Sequence, residues 1–504
     1  MVKKTESKIS YLILFLTALG TMLLCTKSSP LYAFNDWFDA NAFFTVGKGM
    51  FQGMVPYRDL FDHKGPILYV IHGIAWLISN NDFLGVWIFE IIACYFMLFY
   101  SYKTMCLFCD KKFIVLMPVL SAVIYSSNHM RHGDSVEEFC LPLLAYALYL
   151  SMRYFVKDIK IKNRELIIIG ITSAIVLWMK YTILAFYIGW IIMPVLVLAW
   201  KKEWKEIGRM ILMIGIGVMI TTIPVLIYFA ANHALGDLLK VYFYNNIFVY
   251  AGKKVTLMEK LELLAINMEY VTRMNKWTFR LIGIGILWLG IRGKWKALLQ
   301  VAGITGVMMM VILTVKNLHG YYSLCFSFLA ILGLCAVGEV VSLAVKLVKR
   351  IRLSKLNLGN SLELYKKLFM GALLGVSFVA MVGICYTEGY NISMLQYEKE
   401  DYPQYQFAEI INQSENPTLL NYGELDMGVY TTAGILPTTK YFCELNLNSK
   451  EMKKAQKRIV NKGKVEFVIS WNKEYEWPLY EKIAETQFVY EGRDRVYYLY
   501  QLKE

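Results

Sequence analysis

Apolar runs of about 17–25 residues recur from Tyr11 to Tyr386, and each is long enough to cross a bilayer as a helix. No other feature narrows the fold as far. In hydrocarbon the backbone must satisfy its own polar groups, so such a chain becomes a bundle of membrane-spanning helices. Of the 504 residues, 57% are hydrophobic and only 18% charged, which leaves a soluble chain of this length short of polar surface. Past about Glu388 the character changes to polar residues of mixed charge, enough for one small globular domain. The expected organisation is a transmembrane module over 1–387 and an α/β domain over 388–504.

Lysine and arginine in short loops set the expected orientation. Lys3, Lys4 and Lys8 put the N-terminus in the cytoplasm, and later basic loops follow at 103–112, 153–164, 201–209, 292–296 and 346–367. If all are cytoplasmic, spans fall near 11–28, 83–103, 112–128, 137–153, 165–179, 182–200, 210–231, 277–291, 297–315, 321–345 and 368–387. That makes about eleven transmembrane helices, an odd number, and so places the tail outside the cell. Residues 29–82 then form one external loop, whose apolar runs 37–52 and 66–79 are expected as interfacial or re-entrant helices. A second long external segment spans 232–276. Within the tail, FAEIINQ and KEMKKAQKRIV read as helices, and TLLNYG, VEFVIS and VYYLYQL as strands.

The net charge of +14 comes from clustered loop residues, so membrane topology accounts for it and nucleic acid is not called for as a partner. The first span could imitate a signal peptide, but it lacks the small residues of a cleavage site and is expected to stay uncleaved. The Cys106–Cys109 pair has no second pair to complete a zinc site and is read as incidental. Only Cys443 lies in the tail, which therefore has no internal disulfide.

Charged residues recur at the mouths of these apolar runs. Asp36 and Asp39 precede one, Lys64 another, Glu137 and Glu138 open a third, and Lys180 lies in the turn WMKYT. Each has an ordinary explanation. Asp36 and Asp39 suit a helix cap, the glutamates a first helical turn, and the lysines a snorkelling anchor. Their joint placement near one membrane face is harder to dismiss, because ionisable groups at membrane depth are functional candidates by default. A carboxylate can deprotonate a hydroxyl, and a lysine can stabilise a departing phosphate.

The stretch DANAFFTVGKGM resembles the C-type (GT-C) membrane glycosyltransferases, in the family 39-like branch of protein O-mannosyltransferases and bacterial aminoarabinose transferases. Asp39 falls on the family's first acid, Phe43 on its aromatic, Gly47-Lys48 on its small-basic pair and Met50 on its methionine. Lys64-Gly65-Pro66-Ile67 is similar to the family's Lys-Pro-Pro-Leu. Glu137 or Glu138 stands where the family has an acid at the head of the fourth span, and Lys180 where it has a lysine between the fifth and sixth. KNLHGYYSL, Lys316 to Leu324, is similar to the basic-aromatic segment that holds a lipid phosphate in related enzymes. The family's usual Asp-Glu is Asp39-Ala40 here, so one carboxylate is missing.

The resemblance implies a sugar donor on a polyprenyl phosphate, an acceptor hydroxyl on a glycan, lipid or protein, and transfer on the outer face of the cell membrane. The catalytic residues would be Asp39, as general base on the acceptor hydroxyl or to orient it, Asp36, in compensation for the missing carboxylate, and Glu137 and Glu138, which would help shape the site. Lys64, with His63, Lys180, Lys316, His319 and Tyr321, would bind the donor and its phosphate. Desolvation in the cleft is expected to raise the pKa of Asp39. No cofactor is assigned, and a divalent metal is left open. A lipid-sugar flippase or transporter, a surface polysaccharide polymerase and a non-catalytic scaffold remain as alternatives.

Overall fold

The computed structural model describes residues 8–250, 256–352, 361–446, 449–490 and 492–504, without the side chains of 250, 347–352 and 361–367. Lys3 and Lys4, much of the 346–367 loop and residues 251–255 of the second long segment lie outside the described residues.

Eight helices among the described residues are long and apolar enough to cross a membrane. They are Lys8–Cys25 (α1), Leu84–Met105, Val136–Lys157, Tyr181–Trp200, Trp204–Ala231, Trp295–Ile312, Gly320–Lys346 and Leu368–Glu388. The remaining three expected spans are helical but short. Near 112–128, a 3-10 turn at Lys111–Leu116 leads into Met117–Tyr125; the others are Asn163–Leu177 and Lys276–Ile291. Met117–Tyr125 is buried along most of its length, so neighbouring helices rather than lipid surround it. Asn163–Leu177 crosses Trp204–Ala231 at Gly170 and Gly217. A Cβ on either would come within 2.1 or 2.0 Å of the facing backbone carbonyl. Small residues let membrane helices approach this closely.

The first expected external loop forms two helices, α2 (Phe38–Phe51) and α3 (Pro66–Ile78). They cross at Gly47, where a Cβ would meet backbone atoms of Tyr69 and Gly73 at 2.7 Å. Trp37, Phe38, Phe43 and Phe44 are buried in protein rather than laid in the membrane surface: Phe38 lies against the C-terminal domain, Trp37 against His132 and Tyr321, Phe43 against His72 and Phe44 against Phe83.

That domain contains a four-stranded sheet of order β1-β2-β4-β3. β1 (Leu419–Asn421) runs parallel to β2 (Phe467–Trp471), and the helix Lys450–Asn461 lies between them in sequence. β3 (Tyr480–Tyr490) and β4 (Arg493–Leu502) are antiparallel, and β4 pairs with β2. The expected helices and strands form, with Pro403–Ile411 as the first helix. β3 was not expected. It is an edge strand whose residues alternate only weakly between buried and exposed, so its sequence carries little period-2 signal.

The domain is fixed to the first loop by specific contacts. Thr45 Oγ1 donates to Asp426 Oδ2 at 2.6 Å, Thr431 Oγ1 to Asn41 Oδ1 at 3.0 Å, and Phe61 N to Lys440 O at 2.9 Å. The Phe38 ring meets Trp471 at 5.1 Å and Tyr490 at 4.6 Å. Just past the last span, Asn391 Nδ2 donates to the carbonyls of Cys25 and Arg131, both at 2.7 Å. All nine cysteines are free thiols, and Cys106 and Cys109 are partly buried.

Candidate active site

The segment Lys64-Gly65-Pro66 brings two lysine-bearing turns together. Pro66 opens α3 at a position where its missing N–H costs nothing. Gly65 N donates to Met179 O and Ile67 N to Trp178 O, both at 3.2 Å. A Cβ on residue 65 would lie 2.0 Å from the Trp178 carbonyl oxygen, so only glycine permits the approach. Tyr57 and Tyr69 donate their hydroxyls to Lys64 O at 2.6 and 3.1 Å and hold the turn from its other side.

These turns line a cavity of about 900 Å³ between the helix ends and the sheet domain. Asp39 projects into it from the first turn of α2. Its Oδ1 lies 3.4 Å from Lys64 Nζ, and its Oδ2 accepts from Tyr321 OH at 3.3 Å. The Lys64 ammonium stands 4.9 Å from the centre of the Phe43 ring. Lys180 Nζ meets Glu137 Oε1 at 2.5 Å and lies 3.6 Å from the centre of the Tyr322 ring. His319 stacks on Tyr321 at 5.6 Å. The Asp39 and Lys64 side chains keep 18% and 15% exposure, so the pair is open to the cavity.

The electrostatics differ from the expectation of a raised aspartate. Burial alone would raise the Asp39 carboxyl, but Lys64, His63 and His319 outweigh it and hold it below the ordinary carboxylate value. Burial, helped by Lys64, pushes His63 down to about 4, so it is neutral at pH 7. Lys64 is therefore the cation that governs Asp39 near neutrality. His319 is also lowered, chiefly by burial.

Eight of the expected site residues line the cavity: Asp39, His63, Lys64, Glu137, Lys180, Lys316, His319 and Tyr321. Asp36 and Glu138 do not. Asp36 forms a buried ion pair with Lys27 at 2.5 Å, joining the end of α1 to the start of α2. Neither acid caps α2, since Trp37 occupies the cap position without a side-chain bond. Glu138 accepts from Asp134 N at 3.1 Å, and the same N–H reaches Glu90 Oε1 at 2.8 Å. Asp134 in turn meets His72 Nε2 at 2.9 Å. Glu138 thus belongs to a buried network that fixes the loop before its helix.

Asp62, Tyr322, Glu424 and Trp471 also line the cavity and were not singled out from the sequence. Asp62 directly precedes His63, and Tyr322 directly follows Tyr321, so adjacency was a usable signal. Glu424 and Trp471 come from the carboxyl ends of two parallel strands, a common place for ligand contacts in α/β sheets. Among the described residues, no three His, Cys, Asp or Glu side chains converge as a metal site.

Among the solved structures that share the fold are two of ArnT and one of AglB. ArnT from Cupriavidus metallidurans in the apo state superposes with a TM-score of 0.64 at 11% identity, covering 98% of each chain. ArnT from the same organism bound to undecaprenyl phosphate gives 0.58 at 12% identity, again over 98% of each chain. The oligosaccharyltransferase AglB from Archaeoglobus fulgidus, in complex with an inhibitory peptide and a dolichol-phosphate, gives 0.50 at 11% identity, over 92% of this chain and 69% of that one. The fold is therefore the GT-C type expected from the resemblance, on a multi-pass membrane protein with a small C-terminal sheet domain. A search of the curated proteins by sequence found no match. A sequence-family match covers residues 2–387, most of the chain, and by it the protein belongs to the family of the competence-induced protein Ccs4 N-terminal domain.

Proposed function

We propose that this protein is a membrane glycosyltransferase that moves a sugar from a polyprenyl-phosphate donor to an acceptor hydroxyl on the outer face of the cell membrane. The observation that carries this reading is Asp39, held between Lys64 and Tyr321 in a cavity with one apolar wall and one polar roof. Ile247, Met310 and Val311 line the cavity and are also exposed on the helix surface, which suits entry of a prenyl chain from the bilayer. The similarity in fold to ArnT with undecaprenyl phosphate and AglB with dolichol-phosphate supports a lipid-linked donor.

In this reading the donor phosphate draws Lys64 away from Asp39. With its cation withdrawn, burial dominates and the carboxylate becomes a stronger base. Asp39 takes the proton of the acceptor hydroxyl, and the oxygen attacks the anomeric carbon. The bond from that carbon to the phosphate oxygen breaks, and the lipid phosphate leaves with the electron pair. Attack opposite the leaving group inverts the anomeric centre. The phosphate gains one negative charge, which Lys64 and Lys180 neutralise.

The test is transfer of radiolabelled sugar from a panel of polyprenyl-phosphate sugars by membranes carrying wild type, D39N or K64A, with and without chelator. Wild type is expected to transfer and both variants to lose nearly all of that activity while remaining folded in the membrane. Undiminished transfer by both variants would remove Asp39 and Lys64 from the site. No transfer by wild type, with the sugar lipid changing leaflet instead, would make the protein a flippase. The chelator arm decides whether a divalent ion takes part.

A further inference from the structure

The roof of the cavity belongs to the C-terminal domain, and its composition points to the acceptor. Glu424 lies three residues beyond β1, and Trp471 ends β2. Because these strands are parallel, both residues emerge at the same edge of the sheet, and both line the cavity. Glu424 Oε1 accepts from Leu425 N at 3.0 Å, which fixes the carboxylate and leaves Oε2 for a ligand. Among the described residues, no lysine, arginine or histidine forms an ion pair with Glu424, unlike Asp39 and Glu137 in the same cavity. Burial, then Glu444 and Asp39, raise its carboxyl against the Leu425 amide and Arg495, which lower it, and Glu424 shares the cavity with Asp39. Trp471 is braced by Phe38 at 5.1 Å and Tyr490 at 5.7 Å, with the Arg495 guanidinium 4.9 Å over its ring.

We propose that the acceptor is a carbohydrate, held on the roof side of the cavity by the Glu424 carboxylate and the Trp471 ring. This rests on the glycosyltransferase reading above. The cavity divides its chemistry between two ends: lysines on the helix-bundle side for a phosphate, and on the roof a carboxylate with no ion-pair partner among the described residues beside an indole backed by Arg495. A carboxylate takes hydrogens from sugar hydroxyls in short charge-assisted bonds, and an indole packs against the C–H face of the ring. A peptide acceptor finds no open strand edge at β1, the strand that leads to Glu424. Peptides commonly add to an open strand edge, but the free side of β1 is already paired: Asn421 N donates to Phe442 O at 3.0 Å, and Glu444 N to Glu424 O at 2.7 Å. A lipid alcohol offers the half-buried carboxylate a single hydroxyl and the indole no sugar ring.

The experiment offers three acceptors to wild type, E424Q, E424D and W471F with one labelled polyprenyl-phosphate sugar. These are soluble oligosaccharides, a Ser/Thr-containing peptide and a short-chain lipid alcohol. Wild type is expected to use an oligosaccharide. E424Q and W471F are expected to raise the acceptor KM about tenfold or more, with donor KM unchanged and partial recovery in E424D. Transfer to the peptide or the alcohol alone would overturn the proposal, as would wild-type acceptor KM in both E424Q and W471F, or donor and acceptor KM rising together. Saturation-transfer NMR with the same oligosaccharides on detergent-solubilised protein separates this from the parent reading. Contact with wild type that is lost in E424Q supports the subsite even without turnover. No contact with either protein refutes it even if another acceptor is glycosylated.

Discussion

In the proposed mechanism Asp39 carries opposing demands, since the lysine assigned to the phosphate first sits beside the assigned base and weakens it. The folded carboxyl lies below its ordinary value, so Asp39 stays ionised to lower pH than a free aspartate does. The ion pair adds stability above the unfolded value, and that stability is lost as pH falls through the lower folded value. The kcat/KM of wild type should therefore show no acid limb from Asp39 between pH 5 and 8. In K64A the remaining activity should show a limb moved to higher pH, because burial then acts with less opposition. An unmoved limb in K64A would mean that Lys64 does not set the protonation of Asp39. D39N should cost about 10²–10⁴-fold in kcat, the range typical of losing a general base. At this scale the sequence separated the candidates only in part. Asp39, Lys64 and Lys180 stand at the mouths of apolar runs, and a search for charges at membrane depth finds them. Asp36 satisfies the same search, and only three-dimensional contact reveals that Lys27 neutralises it. Glu424 lies 385 positions from Asp39 and carries no local mark of facing it.

At the scale of the elements, the joint between the Lys64 and Lys180 turns is a backbone contact, and Gly65 is its narrowest point. In G65A the new methyl would clash with the Trp178 carbonyl, which has no side-chain freedom to yield. The variant should lose about 1–3 kcal/mol of stability, as overpacking does, and most of its transfer activity, read by thermal unfolding and the sugar-transfer assay. Wild-type activity in G65A would show that the two turns act independently. The joint between α2 and the sheet domain has a different character. Burial pushes Asp426 up to about 6, although Thr45 and the Gly428 amide favour its charged form. The folded protein thus binds more protons at this group between about pH 4 and 6, and its contribution to stability falls as pH rises through that window. D426N should remove that slope from the Tm-against-pH curve; an unchanged slope would assign it to other groups. The sequence pattern found the helices and most strands because their apolar spacing is strong. It gave no sign that α2 would be roofed over by the tail, because a buried interfacial helix and a lipid-facing one share the same aromatic residues.

Across the whole molecule, the ends of the spans constrain where the chemistry occurs. α1 runs from Lys8 to Cys25, and the Cys25 carbonyl is held by Asn391, which follows the last span. The start of α1 and the C-terminal domain therefore lie toward opposite ends of the bundle, and the cavity lies at the domain's end. The basic loop at 153–164 follows the helix Val136–Lys157, whose first turn carries the cavity residue Glu137, so that loop belongs at the other end. If basic loops are cytoplasmic, the cavity opens outside the cell, where a lipid-linked sugar already translocated across the membrane would meet its acceptor. Asn416 and Lys162 are both exposed, one on the sheet domain and one in the basic loop, and each suits a cysteine probe. The native cysteines are buried or partly buried and give a low background. On intact cells an impermeant maleimide should label N416C and leave K162C unlabelled until the membrane is opened. The reverse pattern would place the cavity in the cytoplasm, where it would work on donors before translocation, and the acceptor would have to be sought among cytoplasmic molecules.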